Sequence, residues 1–436
     1  IAGILRLGRV IYYIPSSVIT GFTSGIALII ALGQLDNFFG VTSSGDLAIT
    51  KVLSYFTNGF DPNWEAVAIG AAVMLIMIVW PKKLNDKIPS SLAALVIVLI
   101  VCHFLNPDVE TVGQIPKSLF LDDRLSLKGM NMAQFWDLFV PALSIAALGM
   151  IESLLCGASA GKMKKEELNA DRELVAQGIG NMIIPLFGGI PATAAIARTS
   201  VAIKSGCQTR ITGIFHAVIL LLSMFVLSPV MSEVPLSALA GILIITAWRM
   251  NDWKNIHFIF DHKFKSGMLK FFITMIATVV LDLTQAIIIG VAFSSFLIIV
   301  KLTDIDISVS EIDKDRLEEV GVHLPRISNK VRIAYLTGTI FFAVVDKLVK
   351  QLRKQDSAEA LILSMRGVPM IDLSGIEAMI DLVRELEANG TEVYLTSVQP
   401  KVLEEMRRGG LIDLIGEEYV FQSAEQAIVI AQQEHM

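Results

Sequence analysis

The sequence predicts a polytopic α-helical membrane domain followed by a small α/β domain that lies in water. Three observations carry that prediction. Mean hydropathy is +0.62 and only 18% of the 436 residues are charged, but these averages merge two unlike parts. Up to about Leu302 the chain is a succession of apolar runs near the roughly 20 residues that a bilayer crossing needs. From Thr303 onward charges are dense and no run reaches that length. Finally, one segment inside the apolar part opens on helix breakers at a depth where lipid demands a helix: Gly188-Gly189-Ile190-Pro191-Ala192-Thr193-Ala194-Ala195-Ile196-Ala197-Arg198-Thr199-Ser200. The boundaries that follow are a membrane domain over 1–303, a charge-rich linker over 304–328 and a soluble domain over 329–436.

The apolar runs place spans at 14–32, 64–80, 88–105, 135–158, 174–187, 211–230, 236–248, 269–283 and 286–302, with the broken segment 192–202 fitting a half-helix. Lys and Arg in the loops set orientation. With Arg6 and Arg9 in the cytoplasm, the same side collects Lys82, Lys83 and Lys87, then Lys162, Lys164 and Lys165, then Lys204 and Arg210, and then Arg249, Lys254, Lys263 and Lys265. The opposite side holds Lys51 and the group Lys117, Arg124 and Lys128. The bias holds when the broken segment counts as one crossing, and it leaves the soluble domain in the cytoplasm.

In the soluble part, strand-like 331–336, 360–365 and 392–396 alternate with helix-like 342–353, 376–386 and 400–408. That alternation is the pattern of a small α/β domain. Ser374-Gly375-Ile376-Glu377 fits a capping box before the second of these helices.

A helix that begins inside a membrane aims unsatisfied backbone N–H groups, and the positive end of its dipole, at whatever precedes it. The segment after Pro191 is therefore a candidate anion site, and Arg198 adds a full positive charge. Glu152 lies deep in 135–158, where a carboxylate costs roughly 2.5–3.5 kcal/mol and faces a cavity or a partner. Gln177 and Asn181, spaced i, i+4, share a helix face. They either line the cavity or tie helices together. His216, a lone polar residue in an apolar run, reads as a packing residue, and Asp282 sits near a segment end within reach of water. Cys102, Cys156 and Cys207 show no metal or redox spacing and read as small hydrophobes. There is no basic, aromatic-interleaved patch for nucleic acid. No nucleophile–base pair or metal cluster points to an enzyme.

Gly189-Ile190-Pro191-Ala192-Thr193-Ala194-Ala195-Ile196-Ala197-Arg198-Thr199 resembles the tenth membrane segment of the sulfate permease (SulP) family of anion transporters. Met150-Ile151-Glu152-Ser153-Leu154-Leu155 resembles its eighth, and Ile14-Pro15 with Gly21-Phe22-Thr23-Ser24-Gly25-Ile26-Ala27 its fifth. The C-terminal part resembles STAS domains, through Gly338-Thr339-Ile340-Phe341-Phe342-Ala343 and Ile371-Asp372-Leu373-Ser374-Gly375. The resemblance covers essentially the whole chain.

It implies fourteen segments in two inverted repeats of seven, a core domain moving against a gate domain, and an anion held between half-helices of segments three and ten. The opening residues, Ile1-Ala2-Gly3-Ile4-Leu5, read as the tail of a helix already under way, so the chain is expected to be truncated near the end of segment four. The resemblance puts the anion near the backbone N–H groups of Ala192, Thr193 and Ala194, with Thr193 also suited to capping the half-helix. Small Ala194, Ala195 and Ala197 allow close approach. Arg198 either attracts the anion, pairs with Glu152 or reaches for the cytoplasmic surface. Glu152 becomes the ion-coupling acid, as proton carrier or sodium ligand, or else one half of a structural ion pair with Arg198. Ser374 matches the phosphorylated position of stand-alone bacterial STAS proteins.

The expected function is secondary active transport of a sulfate-, bicarbonate- or dicarboxylate-class anion across the bacterial inner membrane by alternating access. No cofactor is expected beyond a coupling Na+ or H+. The expected partners are lipid and a second copy of the chain. The alternatives are an uncoupled anion channel, or a membrane-anchored STAS module that binds a cytosolic protein.

Overall fold

The computed structural model describes residues 1–8, 14–45, 48–85, 87–115, 118, 124–125, 131–195, 198–199, 202–203, 206–281, 283–313, 317–318, 328–355 and 358–435. Arg9, Lys117, Lys128, Ala197, Lys204 and Asp282, used in the reading above, lie outside them. The chain divides into two compact units, Ile1–Ser294 and Ser295–Met436.

The first unit is helical. Its main helices are α1 (Ser16–Gly33), α2 (Trp64–Val79), α3 (Ser90–Leu105), α4 (Met132–Lys164), α5 (Ala170–Ile183), α6 (Ile211–Val226), α7 (Leu236–Met250), α8 (Trp253–Asp261) and α9 (Lys265–Val280), with α10 (Leu283–Leu302) running into the second unit. Three stretches, Ser16–Phe39, Met132–Gly161 and Gln285–Leu302, are long and apolar enough to cross a bilayer. Helices α2, α3, α6 and α7 are apolar but shorter. A sixteen-residue helix rises about 24 Å, less than the about 30 Å hydrocarbon core.

Two expected spans end early for local reasons. The run 174–187 stops being α-helical at Ile183 and tightens into the 3-10 turn Ile184–Phe187, which carries Pro185. The run 211–230 breaks after Val226, and a separate turn, Ser228–Ser232, begins with Pro229 in its first positions. Helix α8 occupies a stretch that the sequence reading left as a charged loop. Asp252 caps it by accepting from Asn255 N at 3.1 Å.

Close packing in this unit is built from small residues. Helices α1 and α9 approach so nearly that a Cβ on Gly21 would lie 2.5 Å from the Phe271 carbonyl oxygen. A Cβ on Gly241 of α7 would lie 2.7 Å from the Gly70 oxygen of α2. Thr20, Thr274 and Thr278 donate their hydroxyls to carbonyls four residues earlier, which satisfies them without leaving the helix. Arg249, at the end of α7, donates to Ser90 Oγ at 3.0 Å and to the Met77 carbonyl at 2.6 Å, tying α7 to α3 and α2. Helix α6 buries none of its residues, so His216 is exposed rather than packed.

The second unit holds a five-stranded sheet in the order β1-β2-β3-β4-β5: β1 (Asp306–Glu311), β2 (Val331–Thr337), β3 (Ala360–Gly367), β4 (Glu392–Thr396) and β5 (Val420–Phe421). Strands β2 to β5 are parallel, and β1 pairs antiparallel with β2. Helices α11 (Val345–Leu352), α12 (Leu373–Ala388), α13 (Pro400–Arg408) and α14 (Ala424–Glu434) flank the sheet. One large core cluster joins Leu336, Leu361, Leu363, Met379 and Leu382, and α14 covers a second one around Ile333, Ile362 and Tyr394.

Two sequence expectations change here. The charge-rich 304–328 stretch contains β1. Ile307 and Val309 pack against the core, next to buried Ile305, while Asp306, Ser308 and Ser310 face outward. A period-two pattern among charges is a half-buried strand. The cap of α12 is Asp372, whose carboxylate accepts from Gly375 N at 2.8 Å and from Phe342 N at 3.1 Å. Ser374 sits inside the first turn, half-buried, so the Ser374–Glu377 capping box does not form. The isolated bridge between Ile340 and Ile371 keeps the chain extended up to Asp372, which sets the capping position.

Candidate functional site

The break in the membrane unit is assembled from α4, α5 and the chain that follows them. Gly188 ends the 3-10 turn with φ +84°, a left-handed conformation that favours glycine. Gly189 passes so close to Ile184 that a Cβ would lie 2.6 Å from its Cγ2. Residues 191–195 are neither helix nor strand, and helix is present at 198–199. A helical bond runs from Thr199 N to Ala195 O at 3.0 Å. Residues 192–195 of the expected half-helix 192–202 are therefore not helical.

Helix α5 holds the start of this segment. Asn181 makes a two-way contact with the backbone of Ala192: Ala192 N donates to Asn181 Oδ1 at 2.7 Å, and Asn181 Nδ2 donates to Ala192 O at 2.9 Å. Gln177 Nε2, one turn earlier on the same face, donates to the same carbonyl. Both side chains are half-buried.

Helix α4 holds the next residues. Ser153, fully buried, has its Oγ 2.9 Å from Thr193 Oγ1 and accepts from Ala194 N at 3.4 Å. Thr193 Oγ1 also contacts the Gly149 carbonyl at 3.2 Å. Cys156 Sγ lies 3.2 Å from Thr199 Oγ1. At the far end of α4, Lys164 Nζ donates to the carbonyls of Cys207 and Gln208, each at 3.3 Å. One helix thus grips the broken segment before, within and after its helical turn.

Among the described residues the Thr193 hydroxyl meets Ser153 and Gly149. The amides of Ala192 and Ala194 are already hydrogen-bonded within the protein. Those of Thr193 and Ala195 have no hydrogen-bond partner among the described residues. Glu152 is half-buried, about 100° around α4 from Ser153. Arg198 is exposed, and the two form no ion pair. The groups that the sequence reading singled out along 192–194 are brought together with Gln177 and Asn181, while Arg198 stands apart from Glu152. Ser153, Gly149 and Cys156 were missed. Their signal is the spacing i, i+4, i+7 of small residues on one face of α4, the pattern of a helix that accepts a close neighbour.

The C-terminal unit places Ser374 in the first turn of α12, beside Asp372 and the exposed Phe342, Met370 and Leu373. No group of three or more His, Cys, Asp or Glu suited to a metal ion occurs among the described residues.

Residues 1–277 match the model of the sulfate permease family, and residues 324–427 match the STAS domain. The chain belongs to the sulfate permease family. Among curated relatives, the Bacillus subtilis protein YvdB, provisionally named a sulfate transporter, is 32% identical over 435 residues, covering 96% of this chain and 79% of the relative. The bicarbonate transporter BicA of Picosynechococcus is 26% identical over 442 residues, covering 98% of this chain and 77% of the relative. Among solved structures, the murine Slc26a9 anion transporter in its inward-facing state superposes with a TM-score of 0.82 at 20% identity, over 99% of this chain and 73% of that one. That likeness establishes the shared fold. This sulfate permease chain is thus a multi-pass helical membrane protein with a C-terminal α/β STAS domain, in a family of transporters.

Proposed function

We propose that this chain moves a small oxyanion or carboxylate, of the sulfate, bicarbonate or dicarboxylate class, across the bacterial inner membrane by alternating access. The observation that carries this reading is a break before a helix inside the membrane unit with two amides, at Thr193 and Ala195, unpaired among the described residues. Such donors at the positive end of a helix favour an anion. Irregular backbone at membrane depth is tolerated where it lines a cavity. The names of the relatives, a provisional sulfate transporter and a bicarbonate transporter, point the same way.

Arg198 adds attraction from the exposed side of the segment, with no carboxylate paired to it among the described residues. Glu152 is the coupling group, binding a proton or Na+. Its half-buried position on α4, with no basic partner among the described residues, suits an acid whose charge changes during the cycle better than a structural ion pair. That position also favours a coupled transporter over a channel. The STAS domain lies in the cytoplasm, Ser374 is its regulatory position, and the working form is a homodimer. A phosphate on Ser374 would sit in the first turn of α12, where the helix dipole favours negative charge, although Asp372 next to it opposes a second one.

Uptake into proteoliposomes, with sulfate, bicarbonate and a dicarboxylate each offered under proton and sodium gradients, tests the proposal. Gradient-driven accumulation of one anion is expected. Glu152→Gln should abolish its dependence on the coupling cation. Inert, correctly inserted protein would return the weight to a membrane-anchored STAS module.

A further inference from the structure

The geometry points to Asn181, assisted by Gln177, as a positioning residue that selects which amides of the broken segment meet the anion. This rests on the anion-transport reading above. Between Ala192 and Ala195 the amides alternate in their engagement. Ala192 N is held by Asn181 and Ala194 N by Ser153, whereas Thr193 N and Ala195 N are unpaired among the described residues. The Ala192 C=O and the Thr193 N–H belong to one planar trans peptide group and point to opposite sides. Fixing that carbonyl therefore fixes the direction of the Thr193 N–H.

Asn181 fixes Ala192 through both of its backbone groups, the N–H and the C=O, much as a neighbouring strand would. Gln177 adds a second donor to the carbonyl. That carbonyl is the electronegative end of the peptide group whose other end is the Thr193 N–H, unpaired among the described residues. Two side-chain donors hold it away from the anion and offset its partial charge. Ser153 supplies the matching hold on Ala194 from α4. The anion's backbone donors are consequently Thr193 and Ala195, and Asn181 keeps them aimed before the anion arrives. Preorganised donors do not have to be reoriented at the moment of binding.

The test uses the full-length protein with two readouts. Asn181→Leu removes both contacts at nearly constant volume. It should speed hydrogen–deuterium exchange over 188–199 and raise the uptake KM for sulfate or bicarbonate about tenfold, the size expected for losing one buried hydrogen-bonded hold. Vmax per inserted protein should change less than about twofold. Asn181→Asp, an isostere that keeps the acceptor but replaces the donor with a charge facing the Ala192 carbonyl, should raise KM at least as much. It serves where the leucine variant inserts poorly. Gln177→Leu, which leaves the Asn181 pair intact, should raise KM only about two- to threefold. Unchanged exchange in Asn181→Leu overturns the hold on Ala192, whatever uptake does. Faster exchange with wild-type KM in both Asn181 variants overturns the link to the anion. A wild-type protein that takes up no anion sinks the transport reading itself, while exchange still decides the structural half.

Discussion

Between α1 and α9 the buried positions include Ser17, Thr20, Gly21, Ser24 and Gly25, whereas in β3 they are Leu361, Ile362, Leu363 and Met365. The same chain builds two interiors by opposite rules. In water, burying large apolar side chains stabilises by about 25 cal/mol per Å², so the sheet hides its leucines and isoleucines. In lipid that drive is absent, because the surroundings are as apolar as the side chains. Helices then associate through close backbone approach and polar contacts, which small residues allow. Many large apolar residues of the membrane unit are accordingly outside, among them Phe135, Trp136, Phe139 and Val140 of α4, beside a smaller buried set that includes Phe22, Met77 and Phe271.

The contrast predicts opposite sensitivities. The largest effect is expected from emptying the water-facing core. Leu348 on α11 is fully buried, and Leu348→Ala should destabilise the STAS domain by about 2–5 kcal/mol in denaturant unfolding. In the membrane unit the damaging change is the reverse one. Gly241→Leu meets the Gly70 carbonyl, a backbone atom that cannot swing aside, and should lower the stability of the detergent-solubilised protein by about 1–3 kcal/mol. A Gly241→Leu protein as stable as wild type would show that α2 and α7 are not held by close approach.

Smaller effects sharpen the STAS side. Asp372→Ala removes the cap of α12 and should cost about 1 kcal/mol, while Ser374→Ala should leave unfolding unchanged. If the serine variant is the costly one, the cap has been assigned to the wrong residue. The weakest effect appears only in alkali. Burial, followed by the hydroxyl's bonds to Glu434 and Glu392, raises the Tyr394 pKa above its usual 10. A group whose pKa is raised on folding contributes fully below the unfolded value and loses that contribution above it. STAS stability should therefore begin to fall as pH rises past about 10, and Tyr394→Phe should flatten that slope.

Much of this architecture was legible in order and type. The strand 392–396 and the helix 400–408 have the bounds expected from their periodicity, and the break at Gly188-Gly189-Ile190-Pro191 lies where the helix breakers are. Strand β1 escaped because its period-two apolar residues are spread among charges. Helix α8 escaped because nine residues between charged loops do not make a span.

Local chemistry in the sequence determined which stretches are apolar enough for lipid and which are charged, and where the chain breaks at Gly188-Gly189-Ile190-Pro191. Each depends on residues within a few positions of one another. Only the tertiary structure decided which amides after that break are bonded within the protein and which are unpaired among the described residues. Asn181 reaches Ala192 across 11 residues and Ser153 reaches Thr193 across 40. A backbone N–H looks the same in sequence whether it is spent on such a partner or not.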